Sequence, residues 1–194
     1  MTAPNDVPIH ATPLTAEERE GLIPSHVTLH RELNELEQQN ILEADTWVFA
    51  RRHNPLRRAF LRSLHHRMFG KVWRWAGVYR SSNKNIGVDR EQIQIRLDEA
   101  LDNVRYWIEH KTFPPDEIAM RFHHELVFIH PFPNGNGRWS RLMADILAIR
   151  LGQPRFSWGR SSLRAADKTR QAYIEALKAA DNHDFTALIA FARS

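Results

Sequence analysis

The chain has 194 residues, enough for one domain with short extensions and a sizeable buried core. It is 42% hydrophobic and 26% charged, an ordinary globular balance, and no apolar run approaches the roughly 18 residues a membrane span needs. Cysteine is absent, which excludes disulfides, thiolate catalysis and cysteine-ligated zinc, while a net charge of +4 allows an anionic partner without forming a dense basic stripe.

The first residues, Met1 to about Pro24, are rich in proline, threonine and acidic groups and read as an extended arm, with 1–27 as the arm and 28–194 as the domain. The start has neither a charged n-region nor an apolar h-region, so no secretory signal is expected. With no cysteine as well, a cytoplasmic location is the expectation. Thr28 is placed to cap a helix carrying Leu29, Leu33, Leu36, Ile41, Trp47 and Val48, which Asn54-Pro55 breaks. Phe60, Leu64 and Met68 predict a second helix ending near Gly70. The polar stretch Ser81 to Asp89 is made of turn residues and predicts a small β-hairpin.

Leu97, Leu101, Val104 and Ile108 mark a third helix, and Pro114-Pro115-Asp116 starts a fourth with Ile118, Phe122 and Leu126 on its buried face. Pro131 disfavours the right-handed helical conformation at His130, so the fourth helix should end there. The fifth begins within Gly135 to Arg138. Its two apolar rows (Leu142, Ile146, Ile149 and Met143, Leu147, Leu151) predict burial over a wide arc. A last helical pair covers about Ser162 to Ala180 and Phe185 to Ala192. The fold class is all-α: a helical bundle with one short β-hairpin.

The run His130-Pro-Phe132-Pro-Asn134-Gly135-Asn136-Gly137-Arg138-Trp-Ser-Arg141 holds most of the chemistry. Gly135 and Gly137 can adopt positive φ and let a ligand approach the backbone. Successive N–H groups in such a turn make an anion-binding nest, and a helix N-terminus adds unpaired donors and a favourable dipole. Arg138 and Arg141 lie one helical turn apart and can both reach phosphate oxygens. His130, with an ordinary pKa of roughly 6.5, is a usable general base near neutrality. Phe132 is the expected apolar anchor.

This run resembles the signature of the Fic family, His-x-Phe-x-Asp/Glu-Gly-Asn-Gly-Arg-x-x-Arg. His130, Phe132, Gly135, Asn136, Gly137, Arg138 and Arg141 match it. Trp75-Ala76-Gly77-x-x-Arg80 resembles the segment leading into that family's flap, and Arg170-x-x-Tyr173-x-x-x-Leu177 with Asp184 resembles its closing helices, so the likeness runs from about Leu56 to Phe191. The chain is most similar to the short stand-alone bacterial members called mobile mystery protein B.

The resemblance implies a protein nucleotidyltransferase that moves AMP from ATP to a Ser, Thr or Tyr hydroxyl of a target protein. It implies His130 as general base, Arg138 as charge stabiliser, and Asn134, Gly135, Asn136, Gly137, Arg138 and Arg141 around the phosphates. It also implies a flap of Arg80, Asn85, Ile86, Gly87 and Val88 that binds the target segment. Asn134 departs from the pattern, because the family's Asp or Glu there holds Mg²⁺. An amide oxygen can ligate Mg²⁺ but brings no charge, so weak binding is expected. Glu20-Gly21 resembles the end of the family's inhibitory motif, with Ala16 where a hydroxyl belongs, which makes Glu20 a regulatory candidate. A helix-turn-helix or antitoxin-like partner is implied by the resemblance alone.

His123-His124-Glu125 lacks zincin spacing, and His65-His66 has no carboxylate at ligand spacing, so both pairs are expected on a helix surface or half-buried. Lys71 to Arg80 alternates basic and aromatic residues and can stack nucleic acid, but packing between helix and hairpin is favoured. The remaining alternatives are a Fic-like toxin using another phosphate donor, a nucleic-acid-directed toxin, and a catalytically silent module that binds nucleotide or a partner.

Overall fold

Two helices divide the molecule: α5 (Pro115–Ile129) and α6 (Asn136–Arg150). The computed structural model describes residues 14–25, 27, 30–159 and 166–194. Around the central pair, the described elements are α1 (Ala16–Glu20), α2 (His30–Phe49), α3 (Arg58–Phe69), α4 (Ile93–His110), α7 (Ala166–Asp181) and α8 (Thr186–Arg193), with a 3-10 turn at Arg90–Gln92. Thr28, Leu29 and Ser162 lie outside the described residues.

The α5–α6 pair is a wall between two apolar clusters. On one face Phe122, Leu126, Ile129, Leu142, Met143 and Leu147 join Leu61, Leu64, Met68, Leu97 and Val104 from α3 and α4. On the other, Ala119, Met120, Ala144 and Ala148 meet Ala176, Ala180, Leu188 and Ala192 from α7 and α8. That second face is built largely of alanines. The predicted wide arc of burial on α6 is observed from Leu142 to Ala148, while Ile149, expected in the buried row, is 43% exposed at the helix end.

Several helix ends follow from the sequence. Pro115 opens α5 with Asp116 and Glu117 in its first turn. α6 stops at Leu151, just before Gly152 at φ +83°. Two expectations are corrected. Residues 16–20 of the supposed extended arm are helical, closed by a capping box in which Thr15 and Glu18 exchange side-chain and backbone hydrogen bonds. The flap at 81–89 has no strand pairing. The described residues show an isolated bridge instead, between Leu22 and Trp73. Carbonyls of both flap limbs, at Ser82 and Val88, are taken by the Arg80 guanidinium rather than by backbone N–H groups.

The alternating basic–aromatic stretch is packed, as favoured. Trp73 is 4% exposed, and its indole N–H donates to Glu37 at 2.6 Å. Trp75 stacks on Trp73 at 4.9 Å and donates to the Glu18 carbonyl, while Tyr79 lies against Phe132 at 5.5 Å. These rings are therefore not a platform for bases. Among the described residues, no helix is long and apolar enough to cross a membrane.

Candidate active site between α5 and α6

His130 is the first residue past α5, at φ +52° and ψ +58°. Pro131 closes the right-handed helical region to it, and it takes the left-handed one, which costs a residue with a Cβ roughly 1–2 kcal/mol. Its N–H still reaches the Leu126 carbonyl at 3.2 Å, so the helix ends in one step and the imidazole turns toward the loop and flap. Only 7% of the residue is exposed. Its pKa falls to about 4, mainly through burial, then through the nearby charges of Arg80 and Lys84. The ring is thus neutral at physiological pH, the form that accepts a proton.

The loop is tied from beneath. Phe132 is fully buried, stacked 3.7 Å from His65 and edge-on to Trp139 at 4.9 Å. Asn136 holds both polar groups of Phe132. Its amide donates to the Phe132 carbonyl at 2.8 Å and accepts the Phe132 N–H at 2.9 Å. Expected at the phosphates, the Asn136 side chain is 2% exposed and serves the loop instead. Its backbone N–H at the start of α6 keeps the site role open to the main chain. Gly135 caps α6 at φ +79°, and a Cβ there would fall 2.6 Å from the Phe69 ring. Gly137, expected as a second positive-φ position, is helical; a Cβ there would meet nothing within 4 Å, which marks the open side of the helix N-terminus.

Asn134 turns its side-chain oxygen onto its own loop, where it accepts the Gly135 N–H at 2.5 Å. Arg138 and Arg141 stand on the first turns of α6. Arg138 is paired with buried Glu37 of α2 at 2.7 Å and lies over Phe69 at 4.9 Å. Arg141 donates to the Gly137 carbonyl at 3.2 Å and faces Tyr173 at 5.7 Å. Glu20 is exposed at the end of α1, and the acid that meets Arg138 is Glu37. The flap tip is outward: Asn85, Ile86 and Gly87 are exposed and Val88 half-buried. Arg80, expected among the target-binding residues, is instead 3% exposed and lies under the flap.

Four residues were missed by reasoning from sequence: His65, His123, Glu18 and Glu37. His65, expected half-buried at most, is fully buried. It accepts the Gly77 N–H at 3.0 Å on Nδ1, so Nε2 carries the proton and donates to the Asn134 carbonyl at 3.0 Å. Burial above all lowers its pKa to about 3, which keeps the ring neutral, and the two hydrogen bonds fix the tautomer. His123 is also fully buried, bonded to the Tyr173 hydroxyl at 2.9 Å, whereas His124 is bonded to Asp181 at 2.8 Å. Glu18 binds Ser82 at 3.1 Å and Lys84, anchoring the flap to α1. Only Glu18 had a local signal, Thr15-x-x-Glu18; His65 and Glu37 are polar positions on apolar helices whose partners lie far along the chain.

Residues 55–148 match the model of the Fic/DOC family, a span that holds α5, the His130–Arg141 loop and all of α6 except its last two residues. The chain is 30% identical over 132 residues to the protein adenylyltransferase Fic of Nematostella vectensis, covering 66% of this chain and 29% of that protein. It is 36% identical over 80 residues to the protein adenylyltransferase Fic of Drosophila melanogaster, covering 41% of this chain and 15% of that one. The chain thus spans under a third of the length of these relatives. The fold is shared with the N-terminal Fic domain of a VirB-translocated Bep effector protein from Bartonella quintana, solved with bound ADP. There the TM-score is 0.67 at 18% identity over 91% of this chain and 94% of that one. BepC from Bartonella tribocorum, solved with bound AMPPNP, aligns at TM-score 0.65 and 19% identity over 92% and 97% of the two chains.

Proposed function

We propose that this chain is a protein adenylyltransferase that moves AMP from ATP to a hydroxyl of a target protein. One observation carries the reading: a neutral, buried histidine is fixed at the mouth of a helix N-terminus that also bears two arginines. His130 takes the proton of the acceptor hydroxyl. The hydroxyl oxygen bonds to the α-phosphorus, the bond between α-phosphorus and bridging oxygen breaks, and pyrophosphate leaves. The unpaired N–H groups at the start of α6 and the guanidinium groups of Arg138 and Arg141 hold the phosphates and the charge that develops on them. The exposed flap tip, Asn85 to Gly87, faces outward to receive the target segment.

The residues here do not make a strong Mg²⁺ site. Asn134 has no charge and its oxygen is engaged by the loop. The reading therefore rests the chemistry on arginines and backbone N–H groups. Asn134→Asp is expected to raise Mg²⁺-dependent transfer, and an unchanged Mg²⁺ dependence would count against weak metal binding by the native loop.

The test is transfer of label from α-labelled ATP to protein in a host lysate, wild type against His130→Ala. The variant should lose about 10²-fold or more, the worth of a positioned base. Equal labelling by both, or none by wild type with any nucleoside triphosphate, would overturn the reading.

A further inference from the structure

The Arg80 side chain reaches three parts of the molecule at once. Its Nε donates to the His130 carbonyl at 2.7 Å, one terminal nitrogen to the Ser82 carbonyl at 2.9 Å, and the other to the carbonyls of Val88 and, at 3.5 Å, Ile129. Its backbone N–H donates to the Pro131 carbonyl at 2.9 Å. The flap lacks strand pairing. Asn83 and Arg90 tie its limbs to each other at the base, and the Arg80 fork joins both limbs and fastens them to the C-terminal end of α5.

A second feature points the same way. Gly87 sits at φ +96°, and a Cβ on it would lie 2.6 Å from the His130 Cβ and 3.1 Å from the Ile129 carbonyl oxygen. The flap backbone thus rests against the histidine itself. We propose that Arg80 is a positioning residue that sets the height of the flap over His130 and fixes the orientation of that imidazole, without touching target or nucleotide. This deepens the reading of His130 as the base and rests on it. The charged groups around His130 are Arg80 and Lys84 of the flap, with Glu18 of α1 bound to Lys84 and Asp89 and Glu91 acting on Arg80. Removing the Arg80 charge therefore raises the pKa of His130, whereas removing only the fork does not.

Two full-length variants separate these effects. In Arg80→Gln, the His130 midpoint followed by NMR should move up; in Arg80→Lys it should stay low. In both, the amides of residues 80 and 90, bonded in the native flap to Pro131 and Asn83, should exchange about tenfold faster. For transfer, both should lower kcat by about 10-fold or more with KM for ATP held within about twofold. Unchanged amide exchange in folded Arg80→Lys, or an unchanged His130 midpoint in Arg80→Gln, would overturn the proposal. If Arg80→Gln fails to fold, exchange and the kcat–KM split in Arg80→Lys decide. The titration and exchange need no transfer activity, so failure of the adenylyltransferase reading would show separately, as wild-type protein that does not label.

Discussion

At His130 one residue does two jobs that pull on each other. It ends α5 in a left-handed conformation and is buried enough to stay neutral down to about pH 4. For a general base, activity needs the neutral form, which is populated above its pKa. kcat/KM should therefore show no acid limb at 6.5 and stay flat from pH 8 down to the onset of acid unfolding, measured beside the folded fraction at each pH. Gly87 sets a matching steric limit. Gly87→Ala places a Cβ where His130 already is and asks an alanine to hold φ +96°. Its transfer rate should drop by about 10²-fold with global stability lowered by only about 1–2 kcal/mol, read by labelling and urea denaturation.

At the scale of elements, the site is assembled from helices far apart in sequence. Glu37 of α2 holds Trp73 with one carboxylate oxygen and Arg138 with the other. Glu37→Gln keeps a partner for the indole while removing a negative charge from the arginine. KM for ATP should fall several-fold in this variant, because Arg138 no longer shares its charge, whereas Glu20→Gly should leave kcat and KM for ATP unchanged. The α1–flap contact is the other inter-element tie. Glu18→Ala removes the capping box and leaves Lys84, whose side chain is 3% exposed, without its carboxylate. Stability should drop by at least about 1 kcal/mol in urea denaturation; an unchanged midpoint would show that α1 does not brace the flap.

Across the whole molecule, three buried histidines make stability pH-dependent. His65 and His123 have pKa values lowered to about 3 and His130 to about 4, each mainly by burial, from 6.5 in the unfolded chain. Above pH 6.5 neither state binds these protons and the linkage vanishes. As pH falls below 6.5 the unfolded chain takes them up and the folded chain does not, so unfolding becomes easier. Each histidine contributes up to ~1.4 kcal/mol lost per pH unit. Tm should be flat from pH 8 to 7 and fall steeply from 6.5 to 5, and His123→Phe should lessen that slope by one proton's share.

The helices and the loop were legible in the sequence because their causes are local. Apolar spacing, Pro115, Pro131, Gly135 and Gly152 act within one or two turns of where they stand, and the His130–Arg141 run carries its own resemblance to the Fic signature. The placement of Arg80, Asn136, His65 and Glu37 was not legible. Each is a polar side chain whose partner is fixed only when elements pack, and burial turns such a group from a solvated surface residue into a strut, since a buried polar atom must find a partner. The sequence by itself determined an all-α chain with a phosphate-suited loop between two buried helices. The tertiary structure decided that the flap is held by side chains, the Arg80 guanidinium foremost, instead of a β-ladder, and that the histidine beneath it is neutral, because only packing sets which charges and carbonyls surround a group.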